Sequence, residues 1–279
     1  MKIIVEAGAT KSDWRIISGG RQTDARIFPG MNVSTVSMEH NLHTLENALQ
    51  ELGRPSLEGF YLYTAGIVTP EVSATVEGRI RELVKVDEIE IRDDLVAAAR
   101  AVCGREKGIV AILGTGSNAC FWDGNTVSFK VRSGGYIIGD EGGGAALGKQ
   151  FLSDFIKGLV PEDIASDFAS RYDASYEGIV AGVYRSAAPA GFLGSFAPFI
   201  LSHYGNPYVK SLVDGGFRSF VKRSLLRYPV DTYPVGVVGG FGSACKDIFT
   251  SVCGEYGIRV GRFEAEPING LIDYHTIII

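Results

Sequence analysis

KIIVEAGATKSDWRIISGG (2–20) and GIVAILGTGSNACFWDGN (108–125) are written to one plan. Each opens with a run of β-branched residues and breaks at a turn carrying Gly and Thr. Each then resumes in an alternating segment and stops at a reverse turn, Gly19-Gly20 in one and Asp123-Gly124 in the other. That pattern is strand, tight turn, strand. Its recurrence far downstream is a weak internal repeat and predicts two α/β halves, each beginning with a hairpin.

The segments between fit this reading. Leu42, Leu45, Leu49 and Leu52 recur at helical spacing, so 39–53 is a helix ended by Gly53. GFYLYTAG (59–66) reads as a strand, 70–84 as a helix with Pro70 in its first turn, 88–92 as a strand and 94–104 as a helix. GREKG (104–108) is the candidate boundary, with domains expected over 1–106 and 107–266. From about 144 to 228 the chain is mainly helical. A buried strand follows at 234–240, a helix at 241–257, a strand at 258–263 and a last helix from Pro267. Glycine knots at the ends of strands in two halves imply a cleft where a small ligand binds.

Composition removes several classes of function. Hydrophobic residues are 46 %, charged residues 21 % and the net charge is −5, so the basic excess of a general nucleic-acid binder is missing. The N-terminal apolar run ends at Glu6, too short for a signal peptide. No window approaches the ~20 apolar residues of a spanning helix, so a cytoplasmic protein is expected. Cys103, Cys120, Cys245 and Cys253 include no CxxC pair, and His40 and His43 have no acid or thiol around them, which argues against zinc or a cluster.

The 36 glycines are the outlier, and they gather in short knots. Three phosphate-loop readings compete. Gly143-x4-Gly148-Lys149 approaches a Walker A loop, but Gln150 stands where a magnesium-binding Ser or Thr belongs. Gly114-Thr115-Gly116 fits the start of a dinucleotide fingerprint, yet a hairpin follows rather than the required helix. The third reading uses both hairpin turns to hold the phosphates of one nucleotide, since N–H groups in such turns form anion-binding concavities. Gly8, Thr10, Lys11, Gly114, Thr115 and Gly116 are its phosphate-binding candidates, with Ser117 a further hydroxyl donor.

Two acidic motifs remain. Asp93-Asp94 ends a strand and begins a helix; one of the two suffices as an N-cap, which leaves the other for chemistry. SGGYIIGDEGGGAALG (133–148) surrounds Asp140-Glu141 with glycines, a costly amount of backbone freedom unless something must approach closely. Carboxylates there suit sugar hydroxyls.

Taken together, VEAGATKSDW (5–14), PGMN (29–32), RDDLVAAARAVCG (92–104), ILGTGSNAC (112–120), GGYIIGDEGGG (134–144), VVGGFGSA (237–244) and EPINGLI (266–272) resemble the BadF/BadG-type ATPase group of the sugar kinase–actin–Hsp70 superfamily, and within it the N-acetylglucosamine kinases. The resemblance covers essentially the whole chain. It implies two ribonuclease-H-like (actin-like ATPase) α/β domains flanking a central nucleotide and sugar cleft, with 267–279 returning to the first domain. It implies ATP with Mg2+, adenosine near Gly239, Gly240 and Ser243, and a sugar held by Asn32, Asp94, Ser117, Asn118, Gly134, Gly135 and Asp140. Asp94 matches the family's catalytic aspartate, and domain closure would exclude water as a competing acceptor. The family has Asp where this chain has Glu6, the residue that would reach Mg2+ through water.

The expectation is therefore ATP-dependent phosphorylation of N-acetylglucosamine. N-acetylmuramic acid and glucosamine are alternative acceptors, and a catalytically impaired sugar sensor is an alternative role. An activator ATPase of the same broad group ranks low because it would need a close cysteine pair. The sequence leaves the oligomeric state open, with a homodimer as one candidate because dimers are common among soluble enzymes.

Overall fold

The computed structural model describes residues 1–8, 11–33, 36–66, 68–186 and 188–276. They form two compact units. The first holds Met1–Arg105, Asn125–Val127 and the C-terminal segment from Glu266; the second holds Glu106–Gly124 and Ser128–Ala265.

In the first unit β1 (Lys2–Ala7) turns back into β2 (Lys11–Ser18), with Gly8 N–H donating to the Lys11 carbonyl at 2.9 Å. Then come β3 (Arg21–Pro29), α1 (Met38–Glu51), β4 (Leu57–Thr64), α2 (Pro70–Leu83), β5 (Val86–Asp93) and α3 (Asp94–Cys103). Among the described residues the strands form one sheet, β3-β2-β1-β4-β5. β1 is antiparallel to β2 and parallel to β4, and β4 is parallel to β5. Ile3, Ile4 and Val5 are completely buried, each such side chain contributing ~1.5–3 kcal/mol. Trp14 meets Phe28 and Phe60 edge-on at 5.4 and 5.6 Å and fixes the hairpin to the sheet. The three helices start on side-chain caps: Ser37, Thr69 and Asp93 accept from His40, Val72 and Val96 N–H groups.

The second unit repeats the order. β6 (Gly108–Leu113) and β7 (Ser117–Trp122) make the hairpin and β8 (Val127–Lys130) follows. A helical stretch leads through α4 (Gly135–Ile138), α5 (Gly144–Phe155), α6 (Glu162–Arg171), α7 (Tyr176–Tyr184), α8 (Pro189–Gly194), α9 (Ala197–Ser202) and α10 (Pro207–Arg223). Then come β9 (Val235–Val238), α11 (Gly240–Ala244), α12 (Lys246–Gly254) and β10 (Val260–Glu264). The sheet order, β10-β9-β6-β7-β8, is that of the first unit read from its other edge. Phe151, Phe168, Phe199, Phe217, Phe220 and Phe249 fill the core under the helices.

Two local expectations change. The helix expected over 241–257 is broken at Cys245, whose buried position and φ −100°, ψ 18° redirect the chain between α11 and α12. The exposed edge strand β3 had no apolar alternation to announce it.

The last helix, α13 (Pro267–Thr276), packs into the first unit. Ile268 and Leu271 join Ile4, Ile17, Tyr61, Tyr63 and Ala97 in a small core. His275 stacks on Tyr61 and shares a 2.7 Å hydrogen bond with the Tyr63 hydroxyl, which accepts from Arg100. Arg100 in turn grips both oxygens of Glu90. Burial, aided by the Arg100 charge, pushes the His275 imidazole down to about 3 and keeps it neutral. Among the described residues no helix is long and apolar enough to cross a membrane.

Candidate functional site

The open end of the β1–β2 hairpin carries a knot of carboxylates. The sheet register sets Glu6 directly opposite Asp13, which Arg15 holds through two 2.7 Å hydrogen bonds. Lys11 Nζ donates to Glu266 Oε1 at 2.9 Å, bringing the approach to α13 against the turn. Partial burial, then the charges of Asp13 and Glu266, push the Glu6 carboxyl up to about 7. Lys11 opposes this and Asp94 adds to it. The electrostatic reach of Asp94 thus places the first residue of α3 near Glu6. The adjacent aspartates divide their labour: Asp93 Oδ1 accepts from Val96 N–H at 2.9 Å as the cap, and Asp94 is exposed. Asn32 is bridged to Ala65 at the end of β4. Thr10 lies outside the described residues.

In the second unit the equivalent turn is built from backbone. Gly114 N–H donates to the Gly116 carbonyl, and the first N–H groups of α5, those of Gly144 and Ala145, donate to the carbonyls of Gly114 and Thr115 at 2.9 and 2.8 Å. The start of α5 is therefore satisfied by the turn itself. A Cβ on Gly143 would stand 2.7 Å from the Gly116 carbonyl carbon, so this docking requires glycine. A cavity of about 460 Å³ lies beside the turn. Gly114, Thr115 and Gly144 form one wall, Ala197, Pro198 and Leu201 of α9 another, and Gly240, Phe241 and Ala244 of α11 a third. The candidate phosphate turn and the candidate adenosine turn thus line one space. Gly239 and Ser243 stand just behind it. Gly239 has φ +120°, and a Cβ there would sit 2.4 Å from the Leu113 carbonyl oxygen. Ser243 Oγ is buried with no hydrogen-bond partner among the described residues.

A second, polar cavity of about 210 Å³ collects the sugar-binding candidates of this unit. Ser117, Asn118, Gly134 and Asp140 line it together with Arg132, Ser133, Glu141 and Arg223. Ser117 Oγ donates to the Glu141 carbonyl at 2.7 Å, and Ser133 Oγ donates to Asp140 Oδ1 at 2.6 Å. Asp140 takes φ +56°, a conformation unusual for a non-glycine residue, and its carboxylate lies against Gly116, where a Cβ would stand 2.6 Å from Oδ2. The glycine turn, Asp140 and the start of α5 are thus one packed assembly. Gly135 begins α4 outside the cavity wall.

Reasoning from sequence missed Glu266, Arg15, Arg132, Arg223 and the α9 wall. Glu266 was within the quoted EPINGLI motif. The α9 residues are apolar members of a helix and carried no chemical signal.

A hairpin-first sheet repeated twice, with carboxylates at one turn and a glycine turn beside paired polar and apolar cavities at the other, defines the two-domain actin-like ATPase fold of sugar kinases. A crystal structure from Porphyromonas gingivalis, provisionally described as an N-acetylglucosamine kinase, is 34 % identical, covers 99 % of both chains and superposes with a TM-score of 0.92. The chain belongs to that family, the N-acetylglucosamine kinase-like group of BadF/BadG-type ATPases. A structure from Chromobacterium violaceum with the same provisional description is 18 % identical over 98 % of both chains, with a TM-score of 0.72. The N-acetylmuramic acid/N-acetylglucosamine kinase of Clostridium acetobutylicum is 27 % identical over 216 residues, 72 % of this chain and 69 % of that protein. No protein-family model matches the chain.

Proposed function

We propose that the protein transfers the γ-phosphoryl group of ATP to the 6-hydroxyl of N-acetylglucosamine. The observation that carries this reading is the small polar cavity where Ser117, Asn118, Ser133 and Asp140 converge on the same unit as the nucleotide-sized cavity walled by Thr115 and Gly240. Asp140 accepts hydrogen bonds from sugar hydroxyls, and the Gly134 backbone and Asn118 orient the ring. The Thr115 and Gly116 N–H groups of the turn receive phosphate oxygens, and Gly240, Phe241 and Ala197 bury the adenosine.

In the first unit Asp94 takes the proton of the 6-hydroxyl as its oxygen bonds to phosphorus and ADP departs. Gly8, Thr10 and Lys11 contact the phosphates, and Asn32 contacts the sugar. The donor chemistry suits Mg2+: Glu6 is a carboxylate whose neighbours Asp13 and Asp94 disfavour its negative charge, and a divalent cation favours it. Among the described residues no group of three or more His, Cys, Asp or Glu is arranged to hold a metal. When bound, Mg2+ neutralises charge on the β- and γ-phosphates. Cytoplasmic ATP makes the cytoplasm the place of action, and a homodimer is the proposed assembly.

ADP release from purified protein with ATP, Mg2+ and a panel of amino sugars tests this, with N-acetylglucosamine expected to give the highest kcat/KM. Asp94→Asn is expected to lower kcat by about 10³, within the range of a general base, while nucleotide binding persists. Unchanged turnover removes Asp94 from the role. A second reading, a sugar-binding protein with weakened turnover, is favoured by Glu6 standing in place of aspartate. It predicts that Glu6→Asp raises kcat severalfold, whereas the kinase reading predicts no gain.

A further inference from the structure

Gly148-Lys149 fails as a phosphate loop, and the structure gives the two residues other work. Gly148 packs α5 against α8: a Cβ there would lie 1.9 Å from the Leu193 carbonyl oxygen. One residue on, the Lys149 ammonium reaches back to the short helix α4 and donates to the carbonyls of Tyr136 at 2.9 Å and Ile137 at 3.3 Å. These belong to the last turn of α4, where carbonyls are unsatisfied within the helix and a cation is favoured.

α4 needs outside support. It is four residues long, begins at Gly135 with φ +68°, follows Gly134 and ends at Ile138 before Gly139. At its start Ser133 Oγ accepts from Gly135 N–H at 3.3 Å, and of its apolar side chains Tyr136 packs on the core while Ile137 and Ile138 are 68 % and 82 % exposed, so burial anchors one residue of α4 and leaves the others to polar contacts. Ser133 and Gly134 before it, and Gly139 and Asp140 after it, all line the small polar cavity. A cavity of about 640 Å³ is lined by Ile137, Ile138, Gly139 and Lys149 among others, so these residues have open space beside them.

We propose that Lys149 is a positioning residue for the sugar site: its ammonium clasps α4 and so holds Ser133, Gly134 and Asp140 in the arrangement that receives the sugar. This rests on the sugar-kinase reading above for its consequence, but not for its geometry.

The test uses Lys149→Met, which keeps the aliphatic stem, and Lys149→Arg, which keeps the charge. Amide hydrogen exchange across 134–140, measured without ligands, is expected to quicken about fivefold in Lys149→Met. In Lys149→Arg it should return to within twofold of wild type. Fivefold is the scale of one charge-assisted hydrogen bond discounted for exposure. The KM for the amino sugar is expected to rise by the same factor, with kcat and the KM for ATP within twofold. Unaltered exchange in 134–140 overturns the clasp. Faster exchange with an unchanged sugar KM overturns its service to the sugar site, as does an equal rise in both KM values. If wild-type protein phosphorylates no amino sugar, the kinase reading fails and the exchange data alone decide whether the clasp exists. If Lys149→Met does not fold, Lys149→Gln replaces it in the same measurements.

Discussion

The two hairpins occupy the same place in the same sheet order, yet their turns are made of different material. In the first unit Glu6 pairs with Asp13 and Ala7 with Ser12. In the second the register sets Ile112 against Asn118 and Leu113 against Ser117. Serine is kept at the start of the second strand in both, and both serines are buried. The charged pair is not kept. Four residues of sequence separate the paired Ala7 and Ser12 and three separate the paired Leu113 and Ser117, and Lys11, the last of the four, supplies the ammonium that pairs with Glu266. One topology thus supports a turn of titratable side chains and a turn of backbone dipoles. The first can answer to protons; the second offers fixed geometry at no cost in charge burial.

The largest effect expected from this contrast is on backbone. Gly239→Ala forces a side chain into φ +120° and within 2.4 Å of the Leu113 carbonyl oxygen. Strain and overpacking together should lower stability by about 3 kcal/mol, with nucleotide affinity lost alongside. Gly8→Ala, at the turn of the first unit, meets among the described residues only the Lys11 carbonyl oxygen at 3.6 Å, an ordinary contact, and should change stability by less than about 0.5 kcal/mol. Urea unfolding of both variants reads the difference. Equal losses would show that the first turn depends on glycine as much as the packing of Gly239 against Leu113, at the entry to the second turn, does.

Much of this contrast was legible in the sequence. Two β-branched runs broken by Gly-Thr turns announced both hairpins, and the glycines around Asp140-Glu141 announced the polar cavity. What was hidden was hidden for physical reasons. β3 is an exposed edge strand with polar residues on both faces, so no period-2 signal exists. α4 lies among glycines that read as loop, and it is bonded by a lysine twelve and thirteen residues away in sequence rather than held by its own propensity. Glu266 is 255 residues from Lys11, a distance that no local pattern spans. Asp93 and Asp94 look alike until the cap bond to Val96 separates them.

The next effect concerns charge. The Glu6 carboxyl is raised from 4.5 to about 7 in the folded protein, so the native state binds a proton more tightly than the unfolded chain. The stability this confers is fully present below about pH 4.5 and is lost as pH rises through about 7. Glu6→Gln, neutral at every pH, should therefore stabilise the metal-free protein at pH 8 by about 2 kcal/mol and alter it little at pH 4.5. His275 runs the other way. Its depressed value means stability is present above pH 6.5 and lost as pH falls toward 3, so acid destabilisation should come from His275, together with Glu90, whose carboxyl Arg100 holds below its ordinary value, and not from Glu6. Ile112, the counterpart of Glu6, contributes no such term. A Glu6→Gln protein that still lost stability between pH 5 and 8 would locate the proton elsewhere.

The smallest effect is the sharpest test of whether the first turn acts as one electrostatic unit. The Lys11–Glu266 pair is exposed on both sides, so Glu266→Gln should cost less than about 0.5 kcal/mol directly. Its charge nonetheless raises the Glu6 carboxyl, whereas that of Lys11 lowers it. Glu266→Gln should therefore move the Glu6 titration to lower pH and Lys11→Met should move it to higher pH, each by less than one unit, read from the carboxyl carbon resonance of Glu6. Opposite displacements from two variants that scarcely alter stability cannot come from general loosening of the hairpin, which would bring Glu6 back toward 4.5 in both. Displacements of one sign would mean that solvent access, rather than the surrounding charges, sets the protonation of Glu6.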